Sequence, residues 1–192
     1  MVRVAQCADG LVGWSVASYA LRSGAQLVTA TPDVGDAAAL LAYVNRVAAE
    51  SDFLTFGPGE HGITLAEEVA FLEAGASTWR FLRKATIEGE IVGFLDLRRS
   101  PRPRLQHTGQ FGISVRKDRW RQGVGRILLS ELLDWAVSVG MRKIDLRVRA
   151  DNVGAQALYR SLGFVEEGRV TRAMMIGGAF FDELLMGRVI DP

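Results

Sequence analysis

Two short stretches of the chain carry residue types that can do chemistry. The first, Arg116-Lys117-Asp118-Arg119-Trp120-Arg121-Gln122-Gly123-Val124-Gly125-Arg126, runs straight into a helical apolar pattern. Two glycines one residue apart at a helix entry let backbone N–H groups approach an anion without side-chain obstruction, and the helix dipole adds partial positive charge. Arg119, Arg121 and Arg126 strengthen that field, so the turn from Arg121 through Gln122, Gly123, Val124 and Gly125 to Arg126 suits a pyrophosphate, with a further sugar phosphate on the guanidinium groups. A phosphorylated cofactor is implied. The second stretch, Asp151 to Phe164, holds Asn152 and Tyr159 seven residues apart. At about 100° per residue these share one helix face, so an amide and a phenol line one wall. Each stretch also has a purely structural reading: a glycine turn at a helix entry, an Asn N-cap and a half-buried core tyrosine.

Two nucleotide-binding patterns fail on spacing. Asp145 lies 20 residues beyond Gly125, as a dinucleotide fold would have it, but the third glycine of that fingerprint falls on Leu128 and the turn from Arg116 to Gln122 is too long. No Gly-Lys-Ser/Thr follows a glycine-rich run, which removes the phosphate loop of the nucleotide triphosphatases.

The elements that must position these residues follow from periodicity. A strand from Leu27 leads to Asp36, where Leu40, Leu41, Val44 and Val47 predict helix one. A loop from Ser51 to Gly62 carries Phe53, Phe56, Glu60 and His61. It ends at Thr64 and Glu67, whose spacing predicts a capping box and helix two with Leu65, Val69 and Leu72 inward. Phe81–Ile87 and Ile91–Leu97 form a hairpin around Gly89, and Arg98 to Gln106 is expected as a mobile solvated loop. Phe111, Ile113 and Val115 alternate on a strand; Val124, Leu128, Leu132, Trp135 and Val139 predict a helix ending at Gly140; Ile144, Leu146 and Val148 alternate on the next strand. Strand, helix and strand make a parallel crossover. Asn152 caps a short helix ending at Gly163, and Val165–Ile176 pairs with Ala179–Val189 through Gly177-Gly178. The fold class is α/β in the mixed sense: a mostly antiparallel sheet with one parallel strand pair, flanked by helices. Residues 1–25 read as an appendage, with a short strand at Val2 to Cys7, and residues 26–192 as the domain.

Composition narrows the function classes. The 192 residues suit one core, and 48% hydrophobic with 23% charged residues is globular. A net charge of +1 gives no global pull toward nucleic acid. One cysteine, Cys7, and two histidines, His61 and His107, build neither a disulfide nor a zinc cage, so no metal and a reduced, cytoplasmic setting are expected. No apolar run approaches the roughly 18 residues of a membrane span, and Leu11 to Leu21 lacks the cleavage pattern of a signal peptide, so no membrane partner is expected.

Together, the strand leading to the glycine turn and the strand leading to an Asn-to-Tyr helix that ends in Leu162-Gly163-Phe164 resemble the two central motifs of the GCN5-related N-acetyltransferase superfamily, over roughly residues 27–190. Glu50 to Leu54, His107 and the segment from Gly178 to Met186 with Asp182 are similar to bacterial ribosomal-protein and small-amine acetyltransferases. The resemblance implies that the strands of Phe111 and Ile144 splay apart and admit the pantetheine arm of acetyl-CoA. The arm would bond backbone at Ile113, Ser114 and Val115, with pyrophosphate on Gln122 to Arg126 and Asn152 and Ala155 along its other side. It implies acetyl transfer to a primary amine, either a small molecule or a protein N-terminus, in a ternary complex, with Tyr159 protonating the departing thiolate. It also implies homodimerisation, for which the last hairpin is the candidate surface. Two departures stand out. Trp120 fills the place usually held by Gln or Arg in the phosphate turn, and Gln110 stands near where many relatives carry a basic Glu. Glu60, His61, His107, Asp182 or a water chain are the alternatives for the base, and Phe53, Phe56, Glu60, His61 and His107 for acceptor contacts. A catalytically weak acyl-CoA-binding regulator and a nucleotide-binding module are the rival readings.

Overall fold

The computed structural model describes residues 16–190. One eight-stranded sheet runs through it, with β1 Ala17–Ala20, β2 Gln26–Ala30, β3 Arg80–Ile87, β4 Glu90–Arg99, β5 Thr108–Val115, β6 Lys143–Arg149, β7 Val165–Ile176 and β8 Ala179–Val189 in the order β1-β2-β3-β4-β5-β6-β8-β7. All neighbours are antiparallel except β5 and β6. The mixed sheet expected from the alternating strand patterns is therefore present, with its single parallel pair at the predicted crossover.

Among the described residues, four α-helices cover the two faces: α1 Ala37–Glu50, α2 Leu65–Glu73, α3 Val124–Ser138 and α4 Val153–Ser161. Alternation along the strands divides the sheet. Leu95 and Leu97 of β4, Phe111 of β5, and Ile144, Leu146 and Val148 of β6 are buried with Leu128, Leu129, Leu132 and Trp135 of α3 and Tyr159 of α4. On the opposite face Leu40, Tyr43 and Val47 of α1 and Leu72 of α2 are buried with Ile91, and Phe94 packs against them. Both helices start where the sequence signals them: the Thr64 hydroxyl accepts from the Glu67 N–H at 3.2 Å, and the Glu67 carboxylate accepts from the Thr64 N–H at 2.8 Å. Leu65 departs from expectation. It is half exposed, because α2 packs through Val69, Phe71 and Leu72 and its first turn overhangs solvent.

Two further expectations meet a different arrangement. Ala17–Ala20 lies within the supposed appendage, yet it pairs with β2 through four residues, and Leu21 enters the core on the α3 face. The Val2 to Cys7 stretch lies outside the described residues. Arg98 and Arg99 belong to β4 rather than to a loop, paired with Gln110 and Gly109, and the Arg99 guanidinium donates to the Thr78 and Gln106 carbonyls at 2.6 and 2.8 Å. Beneath α3, Arg83 (0% exposed) donates to Glu131 at 2.7 Å, and Thr29 and Tyr19 donate to the same carboxylate at 2.6 and 2.8 Å. That polar knot ties β1, β2 and β3 to α3. No helix among the described residues is long and apolar enough to cross a membrane.

Candidate active site

The parallel pair is the feature that makes a site. β5 and β6 are registered only at Thr108↔Lys143, Gly109↔Ile144 and Gln110↔Asp145. Beyond those residues β5 stays bonded to β4 as far as Gly93↔Val115, and β6 stays bonded to β8 as far as Arg149↔Glu183. The two strands thus part into a fork whose inner backbone groups have no strand partner, a condition a bound extended ligand can satisfy.

The mouth of the fork meets the glycine turn. Arg116, nearly buried, binds Glu90 at 2.7 Å and Asp118 at 2.7 Å, and the hydrogen bond from Arg116 helps hold the Asp118 carboxyl below the usual range. The chain then passes through a single 3₁₀ turn, Lys117–Arg119, to Arg121, whose φ of 60° is unusual for a residue with a side chain, and to Gly123 with φ 101° at the N-cap of α3. A Cβ built on Gly123 would meet nothing within 4 Å, so the ground in front of the helix N-terminus is open, while one on Gly125 would lie 3.2 Å from Leu158 of α4. Arg119 Nε is enclosed without a hydrogen-bond partner, and Asp118 lies 3.7 Å away. Open amides and a left-handed turn fit a pyrophosphate. Val124 is buried and contributes backbone only; Gln122 donates to the Asp118 carbonyl at 2.9 Å, and Arg126 reaches across to Ser161 of α4 at 2.7 Å.

Each wall of the fork has its own chemistry. On the α3 and α4 face Tyr159 sits in a triangle of rings, 5.9 Å from Phe111 and 6.0 Å from Phe164. Burial pushes its phenol up to about 12, and its hydroxyl has no hydrogen-bond partner among the described residues. Asn152 caps α4, its side-chain oxygen accepting from the Ala155 N–H at 3.1 Å, which leaves its amide NH₂ available. On the opposite face the Ser114 hydroxyl meets the Tyr43 hydroxyl of α1 at 2.9 Å, so Ser114 points away from Tyr159; its backbone groups face β4, and those facing the fork belong to Ile113 and Val115. The Val115 carbonyl already accepts from the Trp120 indole at 2.7 Å.

The predicted acceptor residues are only partly brought together. Phe53 flanks Arg149, with its ring centroid 4.8 Å from the guanidinium carbon. Phe56 and His61 pack on each other at 4.7 Å, and Glu60 closes its own loop by accepting from the Gly57 N–H at 2.7 Å, a structural task. His107 lies at the closed end of the fork, its carbonyl accepting from Arg142 and Lys143, roughly 20 Å of strand from Ile113. Asp182 is held by Arg169 and the Arg172 N–H, the bond from Arg172 lowering its carboxyl first, so it pins the last hairpin instead of standing free as a base.

Two residues that sequence reasoning did not single out organise the surroundings of the fork. Arg149, at the end of β6, chelates Asp151 at 2.9 and 2.5 Å, donates to the Asp52 carbonyl at 2.7 Å and stacks over Phe181 at 4.0 Å. It fastens the loop after α1 to the last hairpin, where Phe181 also borders an open cavity of about 280 Å³ with Ala150, Asp151, Arg169, Phe180 and Asp182. Tyr43 is the other. The i, i+3, i+7 run of Leu40, Tyr43 and Val47 signalled burial, but not the strand that Tyr43 reaches.

A strand fork opening onto a helix N-terminus can take an extended ligand as an added strand with an anionic group on the helix. Residues 48–164, more than half of the chain, match the model of the Acetyltransferase (GNAT) family, and the chain belongs to that family. It is 34% identical over 107 residues to the L-amino acid N-acetyltransferase AaaT of Escherichia coli, covering 55% of this chain and 65% of that protein. It is 50% identical over 62 residues to the [Ribosomal protein bS18]-alanine N-acetyltransferase of the same organism, covering 32% and 42%. The alignments thus span less than two thirds of these curated relatives. Among solved structures, an acetyltransferase of the GNAT family from Streptococcus pneumoniae superposes with a TM-score of 0.82 at 34% identity, over 85% of this chain and 99% of that one. YncA from Salmonella typhimurium, solved with its cofactor acetyl-CoA, shares the fold at a TM-score of 0.75 and 19% identity, over 86% and 94%.

Proposed function

We propose that the protein transfers an acetyl group from acetyl-CoA to a primary amine by direct attack in a ternary complex. The observation that carries this reading is the fork: β5 and β6 separate after Gln110 and Asp145, directly before the open N-terminus of α3. The pantetheine arm lies between the strands on backbone groups of Ile113 and Val115, and the amides from Gln122 to Gly125 with Arg121 and Arg126 take the pyrophosphate. Asn152 donates its free NH₂ to the arm from the α4 side. A β5 backbone N–H stabilises the oxyanion of the tetrahedral intermediate, and Tyr159 protonates the sulfur as coenzyme A leaves.

The acceptor is a small amine or a protein N-terminus. Support comes from relatives named for an L-amino acid, for the alanine of a ribosomal protein and, in the spermidine N(1)-acetyltransferase of Vibrio cholerae, for a polyamine. The loop carrying Phe53, fastened by Arg149, shapes that choice. Cytoplasmic location and homodimerisation accompany the reading.

The test is a panel of amino acids, polyamines and N-terminal peptides incubated with acetyl-CoA, with free thiol released as the signal and thermal shift with CoA, NAD and ATP alongside. Thiol release that depends on an amine, and stabilisation by CoA alone, are expected. Stabilisation by NAD or ATP but not CoA overturns the proposal, and CoA binding without transfer to any amine reduces the protein to an acyl-CoA sensor.

A further inference from the structure

Asp96 occupies a place that the activity above leaves unexplained. It lies mid-strand between Leu95 and Leu97, both fully buried on the α3 face, so its own side chain projects from the opposite face toward α1 and α2. In the β4–β5 register it stands directly across from Gly112. Gly112 is the second residue beyond the last parallel pair, and a Cβ there would sit 3.3 Å from Asp96 Oδ1. The missing side chain is what lets a carboxylate lie over the β5 backbone at the throat of the fork.

We propose that Asp96 is the group that deprotonates the acceptor amine, acting from the face of the sheet opposite Tyr159. This deepens the acetyltransferase reading and rests on it. In the tetrahedral intermediate the entering nitrogen and the departing sulfur sit on different vertices of the same carbon, so each needs its own proton-transfer group. A base on the α1 and α2 face and an acid on the α3 and α4 face supply the two without competing for one position. The carboxylate takes one proton from the ammonium, the nitrogen lone pair forms the N–C bond, and the C=O electrons move onto oxygen. Collapse of the intermediate breaks the C–S bond with its electron pair on sulfur, which takes the Tyr159 proton. The second proton shed by nitrogen restores Tyr159 through solvent, and Asp96 releases its own to water.

The charged groups around Asp96 suit that task. Arg98 Nε lies 3.3 Å away on the same strand, Arg80 of β3 is registered beside Arg98, and Glu68 of α2 faces Arg80; β5 contributes the uncharged Gln110, Gly112 and Ser114. Burial raises the Asp96 carboxyl above its ordinary value, with Arg98 and Arg80 opposing. The result is a stronger base than a solvated carboxylate. Gln110 cannot act in this way, and Glu60, His107 and Asp182 are engaged or placed elsewhere.

The experiment is a pH profile of kcat/KM for a reactive amine in the wild type and in Asp96→Asn and Asp96→Glu, with acetyl-CoA binding measured on each. The wild type should show an acid limb with its midpoint above the ordinary carboxylate range. Asp96→Asn should lose that limb and about 100-fold or more in kcat while binding acetyl-CoA as before, and Asp96→Glu should restore part of the rate. Asp96→Asn within about threefold of wild type, or a wild type with no such limb, overturns the proposal even where the variant fails to fold. A wild type that acetylates no amine condemns the acetyltransferase reading instead.

Discussion

The Trp120 indole N–H donates to the Val115 carbonyl at 2.7 Å, so the last residue of β5 has a partner where the fork is widest. That carbonyl is one of the groups an added strand of pantetheine would use, and the indole itself is partly solvent exposed. The two compete for one acceptor. Trp120→Phe removes the competing donor and should tighten acetyl-CoA binding by roughly fivefold, the worth of one net hydrogen bond. The fluorescence change that accompanies binding in the wild type should disappear with it. Weaker binding in the variant, with the fluorescence response intact, means that the indole instead helps to hold the carrier.

Tyr159 offers a sharper test, because its hydroxyl has no partner to lose. Tyr159→Phe keeps the contacts with Phe111 and Phe164, so Tm should move by less than about 2 °C and acetyl-CoA affinity by less than about twofold. The maximal rate should fall about 100-fold or more. Burial holds the phenol at about 12, and the form needed is the protonated one, so the wild type should show no alkaline decline from this residue below about pH 11. Against a solvated thiolate near 8.5 the transfer is uphill by about three and a half orders of magnitude, and exclusion of water from the sulfur, which raises the thiolate's basicity, narrows that gap. Equal losses of rate and affinity would show that the ring merely packs.

The strands and helices were legible because each keeps its period: the alternation of Phe111, Ile113 and Val115, the Thr64 and Glu67 box, and the Gly177-Gly178 turn all stand where the pattern puts them. The glycine turn and the Asn152–Tyr159 face were legible as local spacing. What could not be read depends on which distant segments meet. Arg149 gathers Asp52 and Phe53 from one stretch and Phe181 from another, and Tyr19 reaches Glu131 across 112 residues. His107 suited an active site until the register showed that the fork opens toward Val115, away from it. Asp96 left a weak trace, a carboxylate inside an apolar strand, but its value depends on facing a glycine of β5.

Arg149 supplies the last prediction. Its nearly buried guanidinium has two oxygens of Asp151 on one edge, the Asp52 carbonyl on another, and the rings of Phe53 and Phe181 against its plane. A lysine keeps the charge but cannot reproduce a planar fork bound on several sides. Arg149→Lys should therefore release the Asp52–Phe53 segment and lower Tm by roughly 3–8 °C, the consequence of losing charge-assisted hydrogen bonds in a chain of this size. If this loop shapes the acceptor pocket as proposed, KM for the amine should rise about tenfold while acetyl-CoA affinity stays unchanged, a split that two-substrate kinetics resolves. A drop in Tm with both constants preserved would make Arg149 a brace without a say in specificity. Loss of acetyl-CoA binding would mean that its grip on Asp151 sets the position of Asn152 and, through it, the wall along which the carrier lies.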